Sequence, residues 1–219
     1  MVCYYSCHHY FYSLTSHQAL SGLLKVNFMP TSLAHSAIAV GLGPSFLRAG
    51  VKPRFWVLGA LYAALPDIDT IGYRLGIPYA HFFGHRGFTH SFTFALILAS
   101  VTAAVIAIGK SARFSWPILI YLFLCTASHG ILDAMTSGGI GVALFSPFSD
   151  QRIFFSWRPI EVSPLSITRF MSLRGARVLK NELLWVISPA LGLAILGSLI
   201  NLFLRHKKSI PQLSVTPQK

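Results

Sequence analysis

The sequence predicts an all-α, polytopic membrane protein: a bundle of about five helices with one long loop. Hydrophobic residues make up 53% of the 219 residues and charged residues only 11%, against roughly 25% charged residues in ordinary soluble domains. The mean hydropathy is +0.59, and the apolar residues fall in long runs. A bilayer core takes about 20 helical residues to cross. These observations indicate one compact helical bundle embedded in a membrane.

Five apolar segments are predicted as helices, each bounded by charges, glycine or proline. The third and fifth are long enough to cross a bilayer, while the first two are short and fit a tilted, partly inserted or re-entrant segment. A basic amphipathic stretch before the fifth segment is predicted to be an interfacial helix on anionic lipid. The five segments cover 32–47, Phe55 to Pro66, Phe88 to Gly109, Trp116 to about Met135 and Leu183 to Leu204, and the amphipathic stretch covers Arg169 to Lys180.

The membrane-embedded domain is predicted over residues 29–208. Met29 opens a better-looking start than Met1, so residues 1–28 are predicted to be a disordered or spurious N-terminal extension. Residues 209–219 are predicted to be a flexible basic tail. The three cysteines do not form a disulfide framework, and Cys125 is expected to be a small packed residue of an apolar run.

The net charge of +12 does not indicate nucleic-acid binding. The basic residues fall in short loops between apolar runs, where membrane topology places them, rather than in one aromatic-laced stripe. The expected partner is membrane lipid, and the expected location is a membrane. The short loops on one side of the predicted bundle carry bases and no acid, which places the opposite face, with the acids, outside the cytoplasm.

Three of the six acidic residues and three of the histidines fall in three short motifs. These motifs are Pro66-Asp67-Ile68-Asp69, His85 to His90, and His129 to Asp133. Acids are costly in an apolar setting unless something pairs them, so their clustering with histidines suggests a bound metal ion. If the five segments alternate across the membrane, all three motifs converge on one face, together with His35 at the start of the first segment.

The spacing within each motif favours a shared site. His129 and Asp133 are four residues apart and therefore lie on one face of a helix. Pro66 encourages the chain to leave the helix, so both carboxylates that follow it can reach one point. His85 is expected in a loop and His90 in the first helical turn, which Thr89 or Ser91 could cap.

Imidazole and carboxylate ligands suit Zn²⁺, with Mn²⁺ or Fe as alternatives, and one or two ions. Such an ion would activate water for attack at neutral pH. Arg86, with Arg152 or Arg158, could hold an anionic group by bidentate hydrogen bonds. The implied reaction is hydrolysis of a small-molecule or lipid substrate. A phosphoester is one candidate for the bond that is cleaved.

Two other interpretations use the same residues. The cluster could bind or transport metal ions or protons without catalysis, or His129 and Asp133 could be a neutral polar pair that joins helices. A transporter needs polar groups along its whole path, and the far halves of the helices have almost none. The segment from Gly138 to Leu165 is either an interfacial loop or a substrate wall with Trp157, Arg158 and Glu161 facing the site.

At these residues the chain resembles the YdjM-type family of inner-membrane metal-dependent hydrolases. The order of the motifs is also distantly similar to that of zinc-dependent phospholipases C and single-strand nucleases, which favours phosphodiester or phospholipid chemistry. A later H-x-x-x-E motif of that group has no obvious match here, so the resemblance implies one or two ions. The matching features span roughly 30 to 205: His35, PDID (66–69), HRGFTHS (85–91), SHGILDAMTSGG (128–139) and LFSPFSDQRIFF (144–155).

The resemblance implies a set of metal ligands and a smaller set of catalytic residues. Asp69 and His85 would be ligands or residues that orient ligands. Asp69 or Glu161 would be the general base, and Arg86 would bind the anionic part of the substrate. The other implied ligands are His35, Asp67, His90, His129 and Asp133.

Overall fold

The computed structural model describes residues 31–47, 50–109, 114–162 and 171–209. Within these ranges the chain is helical and contains two isolated β-bridges but no strand. The predictions for residues 1–28 and for the tail after Ser209 lie outside the described residues. The all-α bundle is therefore confirmed for the part of the chain that carries the motifs.

Five helices build the bundle. The fifth has three consecutive parts, labelled below as α5, a π-helical turn and α6. Two 3-10 segments, Leu65–Leu75 and Phe88–His90, connect α2 to α3. The helices are α1 (Thr31–Phe46), α2 (Arg54–Ala64), α3 (Phe92–Gly109), α4 (Trp116–Ala134), and α5 (Leu173–Glu182) joined by a π-helical turn (Leu183–Ile187) to α6 (Ser188–Ser209).

Three of these helices are long and apolar enough to cross a membrane: α3, α4 and the continuous helix from Leu173 to His206. The predicted amphipathic helix and the predicted fifth helix are thus parts of one helix. Half of the positions in its first stretch are polar, and this stretch buries only Gly175, Val178 and Glu182. The change from a polar to an apolar sequence near Leu183 suggested a boundary, but the chain continues there as a helix through the π-helical turn.

Helix α4 is the centre of the bundle and packs against α1, α2 and α3. The Tyr121 hydroxyl donates to the Ala39 carbonyl of α1 at 2.8 Å, and the Tyr121 ring lies against Gly59 of α2. Gly130 lies so close to the turn before α3 that an added Cβ would come within 2.3 Å of the His90 carbonyl oxygen. A small residue at this position therefore lets α4 approach the second motif.

The start of α3 differs from its predicted position at Phe88. Ser91 has an extended backbone, and its hydroxyl accepts a hydrogen bond from the Phe94 N–H at 3.1 Å. This capping contact begins the α-helix at Phe92, as expected for a serine at a helix N-terminus. His90 consequently belongs to the preceding 3-10 turn, which directs its side chain into the bundle rather than along α3.

Candidate metal centre

Four side chains from three separate parts of the chain meet inside the bundle. Asp67 comes from the 3-10 segment after α2, His90 from the turn before α3, and His129 and Asp133 from the last two turns of α4. One potential ligand atom from each lies within 4.8 Å of all the others. His90 and His129 are fully enclosed, with 2% and 0% of their surfaces exposed. The predicted convergence of the motifs is therefore present in the fold.

The spacing of these four atoms matches a small tetrahedral ion. His90 Nε2 is 3.2 Å from Asp133 Oδ2 and 3.8 Å from Asp67 Oδ1. His129 Nε2 is 3.3 Å from Asp67 Oδ1 and 3.7 Å from Asp133 Oδ2. Bonds of about 2.0–2.1 Å to tetrahedral zinc place the ligand atoms roughly 3.3–3.4 Å apart. These four distances are close to those of a tetrahedral site, so the group could hold a metal ion.

Unpaired polar atoms are concentrated at this centre. Among the described residues, seven buried side-chain nitrogen or oxygen atoms have no hydrogen-bond partner, and Nε2 of His90, Nε2 of His129 and Oδ2 of Asp133 are three of them. Leaving such atoms unpaired in a protein interior is costly. A cation bound among them would remove that cost, so the donor set fits a metal ion.

The ring orientations of both histidines present a lone pair to the centre. His129 Nδ1 is 2.6 Å from the Ala63 carbonyl oxygen. Because a carbonyl only accepts, Nδ1 carries the hydrogen and the neutral ring leaves Nε2 unprotonated. His90 Nδ1 lies 3.1 Å from Asp69 Oδ2, an acceptor that selects the same tautomer. A carbonyl or carboxylate behind a metal-binding histidine is the usual arrangement.

Asp69 is held by side chains on the side away from the centre. Its Oδ1 lies 2.7 Å from His85 Nδ1, and its Oδ2 accepts from the Thr89 hydroxyl at 2.6 Å. Burial raises the pKa of Asp69, but His90 and His85 outweigh it and lower the pKa to about 2. Asp69, His85 and His90 also form a close group, but the direct hydrogen bonds account for it. The geometry favours Asp69 and His85 as orienting residues rather than ligands.

Arg86 holds the other carboxylate of the centre. Its Nη2 donates to Asp133 Oδ1 at 3.1 Å, and its Nη1 donates to the Thr136 hydroxyl and the Gly138 carbonyl. Only 4% of its surface is exposed, and its backbone has a positive φ of 61°. Asp133 therefore uses one oxygen for Arg86 and turns the other to the two histidines.

A small cavity lies beside the centre. Its volume is about 20 Å³, enough for one water molecule. His35 reaches it from α1, with its ring 4.1 Å from that of His129 and its Nδ1 without a hydrogen-bond partner. The lining also includes Arg86, Asp133, Glu161 and Glu182.

Comparisons with known proteins agree with this architecture. The model of a family described as YdjM inner membrane protein matches residues 29–206. The inner membrane protein YbcI of Escherichia coli strain K12 is 36% identical over 173 residues, which cover 78% of this chain and 97% of YbcI. The chain belongs to the YdjM family. No solved structure matches it. The inner membrane location that the sequence predicted is confirmed by the family and by the three membrane-length helices.

The family match includes every residue predicted for the site. The structure brings Asp67, His90, His129 and Asp133 together as a possible ligand set. His35 lies at the edge, beside His129, and is outside that group. The role of each residue as a ligand or catalyst stays a prediction.

Glu182 was missed by the sequence analysis of this YdjM family chain. Only 3% of its surface is exposed, its Oε1 has no hydrogen-bond partner, and it lines the same cavity as Asp133. A carboxylate one residue before a long apolar run was the available signal, because ionisable groups at membrane depth mark functional sites. The signal was overlooked because the residue was counted with the long loop.

Proposed function

We propose that this YdjM family protein is a membrane-embedded, metal-dependent hydrolase that cleaves a phosphoester or lipid substrate at the membrane face. The observation that carries the proposal is the enclosed set of four ligand atoms, spaced for a tetrahedral ion and backed by outer hydrogen bonds. Zinc suits two imidazoles and two carboxylates, with manganese and iron as alternatives. A single ion is favoured because direct hydrogen bonds account for the second group, around Asp69.

A divalent ion at these four residues would supply Lewis-acid chemistry and activate water at neutral pH. Arg86 fixes Asp133, and it also has an unpaired, buried Nε. That N–H is the group of Arg86 that could bind an anionic substrate oxygen, in line with its predicted role. Arg86 thus combines the predicted substrate contact with a positioning role.

Two glutamates in the cavity are suited to moving a proton. Glu161 and Glu182 both line the space next to Asp133, while Asp69 is fully engaged by His85, Thr89 and His90. We therefore assign the general base to Glu161 or Glu182 rather than to Asp69. The Glu161 N–H donates to Asn181 Oδ1 at 2.8 Å, which holds this loop against α5 next to Glu182.

The proposal is tested first by the metal content of the detergent-purified protein. We expect close to one zinc, manganese or iron per chain, and its loss in the variant His90→Ala/His129→Ala. The matched control is His81→Ala, since His81 is an exposed loop histidine. Metal retained by the double variant at the level of the control would contradict the proposed centre.

Hydrolysis is tested on the same preparations with chromogenic phosphodiesters and phosphomonoesters and with vesicles of bacterial phospholipids. We expect turnover in the wild type and in His81→Ala, and none in the double variant. A protein with full metal occupancy that cleaves none of these would refute phosphoester hydrolysis and favour a metal-binding membrane protein without that activity.

A further inference from the structure

A second, larger groove lies beside the metal centre, between the first turns of α5 and the loop that follows α4. Its volume is about 370 Å³, within the usual range of small-ligand sites. The described residues that line it are Ser137, Glu161, Val162, Arg174 and Arg177. The buried cavity has room for only one water, so this groove is the larger space available to a substrate group.

The groove and the metal cavity share a wall. Glu161 and Val162 line both spaces, and Asp133 also lines the smaller one. Asn181 of α5 holds the loop that carries Glu161. Its side-chain oxygen accepts from the Glu161 N–H, and its side-chain nitrogen donates to the Pro159 carbonyl at 2.9 Å. The groove therefore adjoins the cavity that Asp133 lines.

The charges of the groove favour an anion. Arg174 and Arg177 are three residues apart on α5, so they lie on the same side of the helix, and both are exposed to solvent. Glu161 opposes them as the single acid among the described lining residues. Guanidinium groups bind phosphate in a planar, bidentate way that a lysine ammonium does not provide.

Exposed apolar residues precede the two arginines in the sequence. Met171 and Leu173 have 81% and 90% of their surfaces exposed, and α5 continues into the apolar α6. Trp157 and Trp185 pack edge to face with ring centres 5.1 Å apart. Tryptophan and exposed apolar residues next to arginines are typical of the membrane–water interface. A ligand here could place its charged head on the arginines and its chain along the apolar surface.

We propose that this groove binds the phosphate-bearing headgroup of a membrane amphiphile and presents it to the metal centre. The inference deepens the proposed function and rests on it for the fate of the ligand, but binding itself does not require turnover. The relevant chemistry is a phosphate or phosphonate group, whose source is either a lipid or a free anion. The amphiphile is the source that the exposed apolar rim favours.

The test is binding of dodecylphosphonate, whose C–P bond resists hydrolysis, to the full-length protein in a neutral detergent, counted by native mass spectrometry. Inorganic phosphate is the second probe. Arg174→Gln/Arg177→Gln should weaken dodecylphosphonate binding about tenfold or more, because it removes charge-assisted hydrogen bonds. Arg54→Gln/Lys180→Gln removes the same charge from exposed positions outside the described groove lining and should leave binding within about twofold.

Each result has a defined meaning. If dodecylphosphonate binding is weakened equally in both double variants, a basic surface attracts the probe in general, and the proposed groove is refuted. Inorganic phosphate that binds as tightly as dodecylphosphonate would overturn the lipid source and assign the groove to a soluble anion. Normal metal content shows that the variants are folded. If the wild-type protein holds metal but does not bind dodecylphosphonate, the proposed binding groove is contradicted and the hydrolase proposal is not. If it binds dodecylphosphonate without holding metal, the hydrolase proposal is contradicted and the groove is not.

Discussion

Helices α3 and α4 have nearly the same length, yet they differ in what surrounds them. The most apolar window of α3 has a mean hydropathy of 2.3 and only 17% of it is buried within the protein, while the values for α4 are 1.4 and 67%. The less apolar helix is thus the enclosed one, and it carries His129 and Asp133. In a membrane, polar side chains are tolerated where protein rather than lipid surrounds them.

The enclosure of α4 also explains where the hydrogen-bond partners of His129 and Asp133 come from. Helix α4 faces α1, α2 and the turn before α3, and these neighbours provide the Ala63 carbonyl behind His129 and the Arg86 guanidinium beside Asp133. The outer face of α3 has only apolar side chains such as Leu96 and Val105, both at least half exposed.

The largest difference is expected from removing one polar side chain from each helix. Asp133→Ala should lower metal affinity by more than about 100-fold, since outer partners of a metal site alone contribute about 10–100-fold. Thr102→Val removes a hydroxyl of α3 that bonds to Tyr62, and it should leave the metal affinity unchanged. Titration with a competing chelator measures both. A similar loss in the two variants would show that the effect is general destabilisation.

The next difference between α3 and α4 is expected in how much a packed leucine of each helix contributes to stability. Leu122 of α4 is completely buried, whereas Leu96 of α3 is 50% exposed. Leu122→Ala should lower the free energy of unfolding by about 2–5 kcal/mol because it leaves a cavity, and Leu96→Ala should change it by less than about 0.5 kcal/mol. Unfolding in mixed micelles followed by circular dichroism gives both values. Equal changes would mean that α3 is as enclosed as α4.

The sequence was sufficient to predict the helices and the convergence of the three motifs, because the apolar runs and their polar ends determine both. It was not sufficient for the division between ligands and orienting residues. The position of Asp69 behind His90 depends on the 3-10 path of Leu65–Leu75, which no local pattern specified. Glu182 was missed for a related reason: its burial depends on α5 and α6 forming one helix that packs on the bundle.

The close approach of α4 to the turn before α3 gives a smaller, steric test. Gly130→Ala places a Cβ within 2.3 Å of the His90 carbonyl oxygen, so the two elements must move apart, at a cost of about 1–3 kcal/mol. Gly192→Ala in α6 meets no described atom within 4 Å and serves as the control. We expect lower stability and weaker metal binding in Gly130→Ala only. Unchanged metal binding would show that the centre tolerates a displaced His90.

A smaller loss of metal affinity than in Asp133→Ala is expected from a residue behind the ligands. Asp69→Asn keeps the shape of the side chain but removes the charge that accepts from His85, Thr89 and His90. His90 would then lose its carboxylate partner, and metal affinity should fall about 10–100-fold while the fold is retained. Asp150→Asn, in an exposed loop, is the control and should have no effect. Chelator competition distinguishes the two roles that the sequence left open for Asp69. Loss of metal as complete as in Asp133→Ala would make Asp69 a ligand, whereas a partial loss is the expected result for a residue that only orients His90.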